Sequence, residues 1–132
     1  VPAPVALRYG RLPAQAGDLW LPAEQTPRAV VALIHGGFWL AAYGKSLMDN
    51  LAKDLVKRGM AAWNVDYRSV GGTGWDGYRA TLEDVESAMA ALAPRQVAGS
   101  LLPAGLPAAV LGHSAGGHLA FWHELRARRG AA

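Results

Sequence analysis

The residues best suited to do chemistry are gathered in Gly112-His113-Ser114-Ala115-Gly116, a serine with a glycine two positions away on each side. The apolar run Ala108–Leu111 reads as a buried strand leading into it, and a helical pattern begins directly after it. That strand–turn–helix context is what a nucleophile elbow requires. Side chains at the second neighbours of the serine would collide in so tight a turn. Gly112 and Gly116 remove those Cβ atoms, so Ser114 is expected to present its Oγ at the strand's C-terminal edge. The helix starting there aims unpaired N–H groups and its positive dipole end at the same point, which suits a developing oxyanion. The expected chemistry is acyl transfer with Ser114 as nucleophile.

Such a reaction needs hydrogen-bond donors where negative charge develops. A second motif, His35-Gly36-Gly37-Phe38-Trp39, follows the continuous β-branched run Ala29–Ile34. Paired glycines let backbone pass close to a substrate, so Gly36, Gly37 and Phe38 are expected to join the N–H of Ala115 in an oxyanion hole. Each donor of this kind is worth about 3–4 kcal/mol in the transition state. Trp39 and Trp75, on loops above the strand ends, are the expected walls of an acyl pocket. Tyr43, Trp63 and Trp122 read as core or crevice lining.

The elements that must position these groups follow from the pattern. Val5–Tyr9 and Asp18–Leu21 are strand candidates, and Ala29–Ile34 is a strand covered on both faces. Ser46 reads as the cap of a helix carrying Leu47, Leu51, Leu55 and Val56, which ends at Gly59. Met60–Val65 is the next strand and runs into Asp66-Tyr67-Arg68. A loop over Ser69–Gly77 precedes a helix from Thr81 with Leu82, Val85, Met89 and Leu92 on one stripe. After a proline-bearing loop over 94–107 come the elbow strand and its helix. This alternation implies an α/β fold, with a mostly parallel sheet, right-handed crossovers and helices on both faces. Ligands in such sheets bind at the strands' C-terminal ends, where both motifs fall.

Composition narrows the remaining classes. With 132 residues, one domain is expected, and 52% apolar content with 16 glycines and 8 prolines fits a globular chain. There is no cysteine, so disulfides and thiolate chemistry are excluded. Cytoplasm is the expected compartment, since the opening Val-Pro-Ala-Pro-Val-Ala-Leu lacks a basic-then-apolar leader. No apolar run reaches membrane-spanning length. The net charge of +3 is concentrated at Arg126, Arg128 and Arg129, where cations complement a helix dipole, so no nucleic-acid partner is expected.

Taken together, His-Gly-Gly-Phe-Trp, then Asp-Tyr-Arg, then Gly-His-Ser-Ala-Gly-Gly-His-Leu-Ala resembles the α/β-hydrolase superfamily. The likeness is greatest to its esterase and lipase-like branch, close to kynurenine formamidase-type enzymes, and runs from about Val30 to Trp122. The resemblance implies Ser114 as nucleophile, backbone of Gly36, Gly37, Phe38 and Ala115 as the hole, and a substrate that is a small carboxylic ester or a formyl amide. It implies that His35 orders the loop and that Asp66 and Arg68 form a structural pair. The His and acid residues show no metal-ligand spacing such as His-Glu-x-x-His, so no metal is expected, and no cofactor is expected either. In these families the triad acid and histidine follow the serine on later strands. Only 18 residues follow Ser114 here. The expectation is therefore a partial fold that ends after the nucleophile helix, without the strands that carry acid and base.

Among the remaining histidines, His118 lies one helical turn from Ser114 and is the nearest candidate for a substitute base. His113 is expected to pack beneath the elbow and His123 to be solvated. Gly72–Gly77 formally spells a dinucleotide-binding spacing, but it is separated from its strand and reads as a loop. The alternative to an enzyme is a non-catalytic hydrolase module. Without further strands, Ala108–Leu111 becomes an exposed apolar edge suited to self-association.

Overall fold

Strand β3 (Val30–Ile34) is buried along its whole length and divides the interior in two. Val30, Ala32 and Ile34 face one cluster, whereas Val31 and Leu33 face another, the period-2 alternation of a strand. This explains its unbroken apolar sequence, since both faces are covered. A computed structural model of the protein describes residues 1–36, 44–69 and 74–131. The expected oxyanion-hole positions Gly37 and Phe38, the expected pocket wall Trp39 and the side chain of Trp75 lie outside what it describes.

Among the described residues, β1 (Val5–Arg8), β2 (Ala16–Trp20), β3, β4 (Ala61–Val65) and β5 (Ala108–Gly112) form one sheet in the order β1-β2-β4-β3-β5. The strands that carry the motifs, β4, β3 and β5, are parallel. The N-terminal pair joins antiparallel through β2 on β4. Helix α1 (Asp49–Lys57) covers one face with Ala52 and Val56. On the other face lie α2 (Gly74–Ala90), with Val85, Ala88 and Met89, and α3 (Ala115–Ala131), with Leu119 and Ala120. Trp63 is fully buried there, and its indole N–H donates to the Ala88 carbonyl at 2.8 Å, tying β4 to α2.

Three local expectations are corrected. The strand before the elbow is not buried: β5 ends the described sheet, and Ala108, Ala109 and Leu111 are exposed. Ser46 does not cap α1; it sits in a 3-10 turn, Lys45–Met48, and no side chain caps the start of that turn or of α1. Helix α2 begins at Gly74 and absorbs half of the expected loop. Gly77 is buried within it, and Thr81 donates back to the carbonyls of Gly77 (3.1 Å) and Arg68 (2.5 Å). Tertiary contact there overrides the low helix propensity of glycine. The far end of α1 is as expected, with Gly59 at φ +85 and its N–H on the Val56 carbonyl at 3.0 Å.

Candidate active site

Strand β5 reaches His113 and Ser114 and turns at once into α3. Ser114 is exposed and has φ +57, the left-handed region that a serine enters only when the surrounding chain forces it. The forcing groups can be named. A Cβ on Gly112 would strike the Gly116 carbonyl, and one on Gly116 would strike the Ile34 carbonyl at the end of β3. The turn is held by Gly116 N–H to His113 O and Gly117 N–H to Ser114 O, both 2.9 Å, and by His113 N–H to Ile34 O at 3.1 Å. Ala115 is the first residue of α3, so its N–H is one of the donors that an α-helix cannot satisfy internally.

Gly36 meets this turn from the end of β3. A Cβ there would collide with the His113 carbonyl and stand 2.9 Å from Ser114 Cβ. His35, which precedes it, is buried and stacked on Tyr67 with ring centroids 4.4 Å apart and planes 9° from parallel. Its Nδ1–H donates to the Gly36 carbonyl at 2.8 Å, and the carbonyl can only accept, which fixes the proton on that nitrogen. The Tyr67 hydroxyl donates to the His35 carbonyl at 2.6 Å. Burial, with Asp66 nearby, pushes that hydroxyl above the ordinary tyrosine range.

The other singled-out residues divide. His118 is exposed on α3, its Nε2 2.9 Å from the Tyr78 hydroxyl. His113 is exposed and does not pack beneath the elbow, since it follows the strand that ends the described sheet. His123 is not solvated either: its Nδ1 lies 2.6 Å from Glu86 on α2. Asp66 and Arg68 take separate partners. Asp66 sits 3.1 Å from His35 Nε2, whereas Arg68 grips Asp84 of α2 with its side chain at 2.8 and 2.9 Å and its backbone N–H at 2.8 Å. Asp84 is almost fully buried, which alone would raise its carboxyl. Hydrogen bonds from Arg68 and Gln15 outweigh that and hold it below its ordinary value. Nothing in the sequence marks Tyr67 or Asp84 as a partner of these residues. Tyr67 was within reach, because β3 and β4 pair in parallel with Ile34 opposite Val65, so the ends of both motifs had to meet.

The sequence profile of the BD-FAE family, an α/β-hydrolase-type esterase family, matches residues 18–129. The chain belongs to the BD-FAE family. Among solved structures, this BD-FAE chain is similar to a candidate thioesterase from a Silicibacter species, at 29% identity and TM-score 0.69 over 89% of this chain and 40% of that one. It is also similar to a truncated carbohydrate esterase from gut microbiota, at 24% identity and TM-score 0.71 over 91% of this chain and 42% of that one. A third is Thermogutta terrifontis esterase 2 phosphorylated by paraoxon, at 24% identity and TM-score 0.72 over 90% of this chain and 46% of that one. The BD-FAE chain thus spans between 40% and 46% of the length of these esterases. No curated protein gives a significant match. No helix among the described residues is long and apolar enough to cross a membrane.

Proposed function

We propose that the chain carries the nucleophile and oxyanion hole of a serine hydrolase acting on small carboxylic esters. Ser114 Oγ attacks the ester carbonyl carbon and gives its proton to a base. The carbonyl oxygen becomes an oxyanion held by backbone N–H groups of Ala115 and of the Gly36, Gly37 and Phe38 stretch. The alcohol leaves with a proton, and water then releases the acid from the acyl-enzyme. The observation that carries this reading is the contact between Gly36 and Ser114 at a serine with φ +57. A backbone stretch brought against a strained, exposed hydroxyl is what acyl transfer needs and what a plain turn does not.

Within the described residues His118 is the base we put forward, one turn from Ser114, with Trp39 and Trp75 lining the acyl pocket. Formyl amides are the second substrate class. Removal of triad members from a well-studied protease still leaves about 10³–10⁴-fold catalysis over water, so activated esters are suitable probes even with a poor base. A fluorophosphonate probe and a short-chain nitrophenyl ester should react with the protein and not with Ser114→Ala. Equal signal from both would end the enzyme reading. His118→Ala should slow the reaction further if that imidazole takes the proton.

A second reading, a non-catalytic module that associates through β5, is favoured by one observation. Among the described residues β5 pairs only with β3, and Ala108, Ala109 and Leu111 are exposed along it.

A further inference from the structure

The proposed hole requires Gly36 to be fixed against Ser114, and one carboxylate touches the chain on both sides of that stretch. Asp66 follows β4 directly. Its Oδ1 lies 3.1 Å from His35 Nε2, and the same oxygen accepts the Lys45 N–H at 2.8 Å. His35 is where the chain leaves β3, and Lys45 is where it enters the turn before α1. The His35 contact is close but out of line for a directed hydrogen bond, so the carboxylate stands against the edge of the ring without sharing a proton with it. The Lys45 carbonyl in turn accepts from buried Asn64 at 2.8 Å.

These contacts form a continuous path: Asp66 to the His35 ring, the ring to the Gly36 carbonyl, and Gly36 to Ser114. The ring has little freedom to adjust, being buried and stacked on Tyr67. We propose that Asp66 is a positioning residue for the reaction, setting Gly36 against Ser114 through His35 while it anchors the chain's return at Lys45. The inference rests on the serine-hydrolase reading. A carboxylate suits the role because its oxygen can take an N–H from one side and face an imidazole from the other.

The test follows fluorophosphonate labelling of the full chain over a range of probe concentrations, which separates reversible affinity from the bond-forming rate. Asp66→Ala should lower the bond-forming rate about 10²-fold with unchanged affinity, because a displaced hole acts only on the developing oxyanion. Asp66→Asn still accepts the Lys45 N–H and should fall between the two. The surface variant Asp54→Ala should label like the parent. Amide resonances give a readout independent of reactivity: those of Gly36, Ser114 and Ala115 should move in Asp66→Ala while the middle of β4 stays put. Labelling of Asp66→Ala at the parent rate would overturn the proposal and leave the hydrolase standing. An equal loss in Asp54→Ala would overturn it too, since the effect would then be global. If the parent protein does not label at all, the hydrolase reading fails, and unmoved Gly36 and Ser114 resonances would overturn the positioning role separately. Should Asp66→Ala fail to fold, Asp66→Asn is judged by the same criteria.

Discussion

A Cβ placed on Gly36 would lie 2.9 Å from the Cβ of Ser114, so the two motifs touch where a side chain would otherwise stand. Gly36→Ala should therefore damage both the site and the fold. Pushing the stretch away from the elbow costs about 1–3 kcal/mol of stability. It should also cut fluorophosphonate labelling about 10²-fold by displacing hole donors. Gly117→Ala is the control one turn along. Its Cβ would meet the Gly112 carbonyl at an ordinary 3.4 Å, and alanine inside α3 should stabilise by about 0.5–1 kcal/mol. Urea titration of the two variants beside the parent checks both signs.

Backbone strain at Ser114 predicts that activity and stability oppose each other at this position. Ser114→Gly should remove the left-handed penalty and raise stability by about 1 kcal/mol while abolishing labelling. Ser114→Ala should abolish labelling without the gain. Arg95 has φ +71 in the loop before β5 and offers the comparison, since Arg95→Gly should stabilise similarly and leave labelling intact. If Ser114→Gly melts no higher than Ser114→Ala, the elbow is not strained.

What the sequence made legible was local. The apolar run of β3, the glycine spacing of the elbow and the stop of α1 at Gly59 each depend on neighbours a few residues away. What it hid depended on distant partners. Apolar Ala108–Leu111 reads as buried beside further strands and as an exposed edge without them, and the order of the described sheet selects the second. Gly74 and Gly77 looked like loop signals because the packing that makes them helical comes from elsewhere in the fold. Asp66 and Arg68 would share a face if β4 continued, yet the strand ends at Val65 and beyond it Asp66 turns to β3 while Arg68 turns to α2.

The Asp84–Arg68 pair sets the acid limit of stability. The Asp84 carboxyl is held below its ordinary value in the folded chain despite burial, through Arg68 and Gln15. Its contribution is therefore present above the unfolded carboxyl pKa of about 3.9 and is lost as pH falls through the lower folded value. The urea midpoint should decline on acidification below about pH 4, and Asp84→Asn should flatten that decline. At neutral pH Arg68→Ala strands a buried carboxylate. Arg68 is itself partly exposed, so the cost should sit at the lower end of about 3–5 kcal/mol.

The alkaline limit has the opposite sign and different residues. The Tyr9 hydroxyl donates to the Asp66 carbonyl at 2.7 Å and that of Tyr67 to the His35 carbonyl at 2.6 Å. Burial, reinforced by Asp66 and for Tyr9 also by Asp84, raises both above the ordinary tyrosine value. Stability from these groups is fully present below the unfolded pKa of about 10 and is lost as pH rises towards the folded values. Phenolate absorbance should rise together with loss of helical circular dichroism above about pH 10. In Tyr67→Phe that loss should begin at higher pH, after a cost of about 1 kcal/mol at neutrality.

The edge strand makes the last prediction. Leu111 is exposed (39%) on the face of the sheet that α1 covers, and on the opposite face helix α3, which packs on β5, leaves Phe121 (67%) and Leu125 (44%) exposed four residues apart. An open row of backbone N–H and C=O groups bordered by apolar side chains is a template for another strand. A second copy of this chain brings the same edge and can pair β5 with β5 about a two-fold axis. Light scattering should show the apparent mass rising with concentration, and Ala109→Lys, which puts a charge on the edge away from Ser114, should return the protein to the mass of one chain. The labelling rate of Ser114 should not change in that variant. A parent protein that scatters as a single chain at every concentration would mean that the edge is protected in some other way, and the module reading would lose its one supporting observation.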